Sequence, residues 1–216
     1  MKIAVFGTGS VGETLGSKLL ELGHEVMMGS RTATNEKAAA WVKKAGANAS
    51  TGTFTDAAKF GELIINATLG AGTVEAFKTA GDGNCAGKTV LDLSNPLDFS
   101  KGFPPSLFVS NTDSLAEALQ RTVPSAKVVK ALNTMSCFLM VNPRQLPDSH
   151  HTFVAGNDEG AKTQVKTLLA AFGWKPEEVI DVGDLTGARA TEQYLPLWAR
   201  LYGTLKVGNF NIKIVR

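Results

Sequence analysis

Little in this chain could serve as a covalent or metal-bound framework. Two cysteines, Cys85 and Cys137, among 216 residues are too few for a disulfide scaffold and read as buried free thiols of a reducing compartment. There is no H-E-x-x-H and no cysteine pair at ligand spacing, so no metal is expected. An excess of one charge is also missing. The 22 Lys+Arg against 20 Asp+Glu leave a net +2, which gives no electrostatic case for a nucleic-acid partner. No apolar run approaches the ~18 residues that a membrane span needs. The opening MKIAVFGTGSVG breaks at glycine before a signal h-region could form. The expectation is a cytoplasmic protein with neither membrane nor nucleic-acid partners. Linkers rich in Pro, Gly or Ser, internal repeats and low-complexity tracts are absent too. With 44% hydrophobic residues and a chain long enough to bury roughly 70% of its unfolded surface, one domain over 1–216 is expected.

What is present is a rhythm of short continuous apolar runs alternating with helical patterns. Lys2–Phe6, His24–Met28, Leu63–Thr68, Thr89–Leu93, Lys127–Leu132, Thr152–Ala155 and Glu178–Val182 read as strands. Val11–Leu22, Glu36–Ala45, Ser114–Gln120, Asp158–Phe172 and a long stretch Asp184–Lys206 read as helices, the last with a possible kink at Pro196. Continuous rather than alternating strands predict an α/β, Rossmann-like, doubly wound and mostly parallel sheet with a long C-terminal helix. In residues 184–216, Leu195, Trp198, Leu201, Tyr202 and Leu205 recur at helical spacing, followed by Phe210, Ile212, Ile214 and Val215. Such a segment suits a cap or a homodimer contact.

Gly7-Thr8-Gly9-Ser10-Val11-Gly12 is a G-x-G-x-x-G that follows a strand and opens a helix, the context in which this pattern binds a dinucleotide. The first glycine allows the tight turn, the second lets a pyrophosphate approach, and the third permits close helix–strand packing. At the end of the next strand, where an acid would select NAD, stand Ser30 and Arg31. A hydroxyl and a guanidinium suit the extra phosphate of NADP(H). Lys37 could add a contact or simply be solvated. A second small-residue loop, Thr68-Leu69-Gly70-Ala71-Gly72, either supports a nicotinamide ribose or is a plain strand-to-helix turn. Ser94 and Asn95 could line the same cleft. His24, His150 and His151 have no partner placed by spacing, and no acid–base pair is evident. Hydride transfer between two bound rings needs alignment rather than such a pair, whereas carbonyl reduction normally needs a proton donor.

The segments GTGSVGETLGSKLLELGHEVMMGSR, VVKALNTMS and GDLTGARATEQYLPLW…VGNFNIKI resemble the NADPH-dependent reductases of coenzyme F-420, a deazaflavin. They are also similar to the cytosolic domain of six-transmembrane metalloreductases and, more distantly, to pyrroline-carboxylate reductases. The resemblance implies an oxidoreductase passing hydride between NADPH and a small-molecule redox acceptor, with coenzyme F-420 or a flavin as co-substrate. A flavin or ferric reductase and a non-catalytic NADP-binding sensor are the alternatives. It places Thr8, Ser30 and Arg31 on the NADP phosphates and Thr68 and Leu69 beside the nicotinamide ribose. Ala131, Asn133, Thr134 and Met135 fall on the strand end facing the nicotinamide and the acceptor ring, in positioning rather than acid–base roles. Two departures touch the acceptor side: Leu69-Gly70-Ala71 replaces a Pro-Trp-like step, and Asn133 stands where the family can carry His.

Overall fold

A computed structural model describes residues 1–215; Arg216, the end of the expected 184–216 segment, lies outside the described residues. Chain order runs β1 (Lys2–Phe6), α1 (Ser10–Glu21), β2 (Glu25–Ser30), α2 (Glu36–Ala45), β3 (Ala49–Thr53), α3 (Phe54–Phe60), β4 (Leu63–Asn66) and α4 (Gly70–Ala80). It continues with α5 (Asp82–Cys85), β5 (Thr89–Asp92), β6 (Leu97–Asp98), β7 (Ser106–Leu107), α6 (Leu115–Thr122), β8 (Lys127–Ala131) and α7 (Cys137–Val141). Last come β9 (Thr152–Gly156), α8 (Glu159–Ala171), β10 (Val179–Asp181), α9 (Ala188–Gln193) and α10 (Leu195–Leu205).

Eight strands form one sheet in the order β10-β9-β8-β5-β4-β1-β2-β3. All neighbours pair in parallel except β8 and β9. The doubly wound, mostly parallel expectation holds, with β9 and β10 reversed relative to the rest. Alternate residues of β1 feed the two faces. Ile3 and Val5 join a core with Leu15, Leu19 and Val165, while Ala4 and Phe6 join one with Phe54, Phe77 and Leu119. The Phe6 ring lies 5.0 Å from Phe54 and 4.9 Å from Phe77; each such pair contributes about 0.5–1.5 kcal/mol beyond its buried area. Strand order reverses between β1 and β4, so the crevice at their carboxyl ends is the expected ligand position.

Two differences from the sequence expectation have physical causes. The strand β3 and helix α3 were not expected. β3 is a polar edge strand, Ala-Ser-Thr-Gly-Thr, without an apolar run. α3 carries a local signal nonetheless, since Thr53 and Asp56 form a capping box. The expected long C-terminal helix is present over residues 185–205, with an interruption where a kink at Pro196 is expected. A 3₁₀ turn at Leu185–Gly187 precedes α9, and a turn at Tyr194 separates α9 from α10. Pro196 has no N–H to give the Glu192 carbonyl, which accounts for the interruption.

Candidate functional site

Two adjoining hollows run along the carboxyl edge of the sheet. The first, about 320 Å³, lies between Gly7-Thr8-Gly9, the β2 end at Ser30 and Arg31, and α4 at Glu75, Ala76 and Thr79. The second, about 250 Å³, continues from Gly9, Ser10 and Val11 past Gly70 to Leu93, Ser94, Asn95 and Leu97. Gly9, Ala67, Thr68 and Leu69 border both. An extended molecule could therefore span from Arg31 to Asn95.

The three fingerprint glycines have separable roles. Gly7 has φ +116°, and a Cβ there would strike the Ala67 carbonyl. A Cβ on Gly12 would strike the carbonyl of Gly7. Around Gly9, by contrast, a Cβ would meet nothing within 4 Å. Folding therefore does not require glycine at position 9, but a ligand pressed against its backbone would. Gly9 is the N-cap of α1 and no side chain caps that helix. The N-terminus of α4, at Leu69-Gly70, is likewise without a side-chain cap. Away from the crevice, Thr53, Ser114 and Asp158 cap α3, α6 and α8, and Asn35, at the edge of the first hollow, caps α2. Two longer helices thus direct unsatisfied N–H groups and positive dipole ends into the hollow, which is how α/β folds hold phosphates. The residues present fit a dinucleotide.

At the far end of the first hollow, Arg31 is exposed and has no ion-pair partner among the described residues. Ser30 is buried and its Oγ donates to the Thr32 carbonyl at 2.6 Å. That bond shapes the turn presenting Arg31, and the hydroxyl lone pairs remain free to accept. Lys37 is exposed in the first turn of α2 and does not line either hollow. Glu75, which sequence reasoning passed over, faces the first hollow from α4.

The strand end that the resemblance placed against the nicotinamide is more deeply set than expected. Ala131, Asn133, Thr134 and Met135 are buried and none lines either hollow. Leu132, also buried, has φ 61°. That left-handed turn costs a non-glycine residue on the order of 1–3 kcal/mol and aims Asn133 at Asn95. Asn133 Nδ2 donates to Asn95 Oδ1 at 2.9 Å, and Asn95 Nδ2 donates to the Asn133 carbonyl at 2.9 Å. Asn133 thus reaches the crevice through Asn95. Leu69 is 66% exposed and stands over the boundary between the hollows. Thr68 Oγ1 donates to Asn66 Oδ1 at 2.7 Å and lies 2.8 Å from Thr73 Oγ1.

The histidines have structural work elsewhere. His150 Nε2 contacts the Pro143 carbonyl at 2.8 Å, and its Nδ1 contacts Asn211 Nδ2 at 2.7 Å. The Ile214 N–H donates to His151 Nδ1 at 3.0 Å. Both cysteines are buried free thiols, and burial pushes the Cys85 thiol up to about 11. No group of three or more metal-ligating side chains occurs among the described residues. No described helix is long and apolar enough to cross a membrane. Of the C-terminal stripe, Leu195 is buried, Trp198 stacks on Tyr202 and on Phe210 at 5.4 and 5.5 Å, and Tyr202 and Leu205 stay exposed, as does the neighbouring Leu197.

A glycine-rich turn at the switch point of a doubly wound sheet is the arrangement of dinucleotide-binding folds, and comparison with known proteins places the chain among NAD(P)-binding oxidoreductases. The pattern of the coenzyme F-420-dependent NADP oxidoreductases matches residues 2–96. A crystal structure from Arthrobacter sp. FB24, described as a candidate F-420-dependent NADP-reductase, is 48% identical over 100% of both chains, with a TM-score of 0.93. The chain belongs to the coenzyme F-420-dependent NADP oxidoreductase family. It is also 28% identical over 202 residues to the metalloreductase STEAP3 of Rattus norvegicus, covering 91% of this chain but only 38% of that relative. A reductive aminase from Aspergillus terreus, solved with NADPH, shares the fold at 21% identity, a TM-score of 0.65, and 95% of this chain against 62% of its own.

Proposed function

We propose that the protein transfers hydride directly between NADP(H) and a flat redox ring, a deazaflavin of the coenzyme F-420 type first and a flavin second. The observation that carries this reading is the chemistry of the hollow beyond Gly9. Its described lining offers backbone, aliphatic, hydroxyl and amide groups, with no Asp, Glu, His, Lys, Arg, Cys or Tyr. Reduction of a carbonyl or imine ordinarily draws on a positioned proton donor. A ring-to-ring hydride step asks for alignment at about 3–3.5 Å and little else.

When bound, the dinucleotide would supply the hydride, two electrons with one hydrogen nucleus, and a solvent proton would complete reduction of the acceptor. The protein's part is placement. The backbone of Gly7–Gly12 and the α1 N-terminus hold the pyrophosphate. Arg31, presented by the turn that the Ser30 hydroxyl ties to the Thr32 carbonyl, holds the phosphate that distinguishes NADP(H) from NAD(H). Asn95, fixed by Asn133, orients an amide or ring carbonyl, and Leu69 provides an apolar edge for stacking. Family membership and the reductases that share the fold support the cofactor assignment. The acceptor follows from the empty acid–base inventory and from the family.

The experiment is loss of dihydronicotinamide absorbance from NADPH offered a deazaflavin, free flavin mononucleotide or a cyclic imine in turn. Turnover with a ring acceptor is expected. Turnover with the imine alone would overturn the reading. Tight NADPH binding without turnover on any acceptor would instead favour a sensor.

A further inference from the structure

Beneath the Ser94–Asn95 wall lies a buried charged cluster that the proposed reaction does not use. Asp92 ends β5, Lys130 lies on β8 and Glu192 on α9, each at most 1% exposed. Lys130 Nζ is 2.8 Å from Asp92 Oδ2 and 2.8 Å from Glu192 Oε1, and it also donates to the Ser94 carbonyl. Burial opposes the charge on Lys130, but the two carboxylates outweigh it and hold its pKa above the ordinary lysine value. With three acceptors around Nζ, this ammonium has no proton to spare. Asp92 Oδ1 accepts from Asn66 Nδ2 at 2.7 Å and from the Ser94 hydroxyl and N–H at 2.7 and 3.1 Å. Glu192 accepts from the N–H groups of Leu115 and Ala116 at 2.8 and 3.1 Å.

Two carboxylates surround one ammonium, where a neutral brace would need only one. The α6 N-terminus offsets part of the charge on Glu192. The other partners of Asp92 are neutral, and one of them, Ser94, lines the crevice. Nearby charges on α6 are already paired: Glu117 with Arg189 and Asp113 with Arg121.

We propose that the excess negative charge of the Asp92–Lys130–Glu192 cluster stabilises the cationic nicotinamide of NADP⁺ relative to the neutral dihydronicotinamide of NADPH, and so favours release of hydride from the cofactor. This rests on the reading above, in which the nicotinamide occupies the hollow beside Ser94 and Asn95. Removing a unit charge roughly 10 Å away, through an effective dielectric of about 20–40, changes the ratio of the two affinities by roughly four- to fifteenfold.

The test is titration of the full chain with NADP⁺ and with NADPH. Glu192→Gln and Asp92→Asn should each weaken NADP⁺ relative to NADPH by about that factor. A cluster that merely braces the fold would weaken both forms alike, and a ratio constant within about twofold across the variants would overturn the proposal. Should the variants fail to fold, the unaltered protein still decides. NADP⁺ is expected to bind at least as tightly as NADPH, and NADPH binding more than about tenfold tighter would refute the charge effect. If the unaltered protein binds neither form, the cofactor reading itself fails. If it binds both and the ratio does not respond to charge, only this inference fails.

Discussion

Replacing Gly9 by aspartate should make the protein more stable and, at the same time, unable to hold its dinucleotide. Gly9 is the uncapped N-cap of α1, at φ −86° and ψ −177°, a conformation open to any residue, and a Cβ there meets no atom within 4 Å. Asp158 shows what such a residue does in this fold: its side chain accepts the Ala161 N–H at 2.8 Å and caps α8. An aspartate cap gains a few tenths of a kcal/mol over glycine and a further ~0.3–1 kcal/mol from the helix dipole. For a chain of this size, at about 2–4 °C per kcal/mol, the melting temperature should rise by about 1–5 °C. The same carboxylate about 4 Å from a phosphate, at an effective dielectric near 20, opposes binding by about 4 kcal/mol, close to a thousandfold. Thermal melts of the unliganded protein and fluorescence titration with NADPH measure the two effects separately. A lower melting temperature would refute the capping argument, and an NADPH affinity within tenfold of the parent would show that the crevice at Gly9 is not a phosphate site.

Arg31→Ala should weaken NADPH by about ten- to a hundredfold, as one charge-assisted contact of about 1.5–3 kcal/mol is lost, while leaving NADH nearly unchanged; parallel titrations check this. Glu178 is fully buried beside Arg144 and accepts from Ser149 Oγ and the Lys175 N–H. Burial would raise its pKa, but these partners, Arg144 foremost, hold it below the usual carboxylate range. A depressed carboxyl stabilises the fold above the unfolded value of about 4.3 and loses that contribution as pH falls through the folded value. Glu178→Gln should therefore cost about 1–3 kcal/mol near neutral pH, and urea melts should show the gap to the parent narrowing below about pH 4. The exposed Leu197, Tyr202 and Leu205, with Phe103 6.4 Å from the Tyr202 ring, lead us to propose a homodimer through this face; light scattering at micromolar concentration should give twice 22.8 kDa, and a monomer would refute it.

Local features of the sequence carried most of the fold and located one end of the candidate crevice. The Gly7–Gly12 turn is a contiguous pattern whose geometry follows from sterics, and Ser30-Arg31 sits at a fixed place one strand later. β3 was illegible because an edge strand needs no apolar face, although the Thr53–Asp56 capping box marked the helix behind it. The Asn95 end of the crevice was harder to read. Asn133 seemed a wall of the cleft, but the left-handed turn at Leu132 buries it behind Asn95. The Asp92–Lys130–Glu192 cluster joins two strand ends to a helix distant in sequence, and no periodicity or short motif brings such residues together. Glu75 is one helical side chain among many until the crevice shows which way it faces.

The central claim is direct hydride transfer between two rings, and isotope tracing tests it most directly. NADPH carrying deuterium stereospecifically at the reactive carbon would be mixed with the protein and a deazaflavin in rapid-mixing experiments, then repeated with a flavin and with a cyclic imine. The account predicts that a ring acceptor is reduced with an isotope effect and that the deuterium from one face of the nicotinamide appears on the deazaflavin carbon, where it does not wash out into solvent. If the label is found only on the imine carbon while both rings stay oxidised and unlabelled, the protein reduces carbon–nitrogen bonds and the account is contradicted.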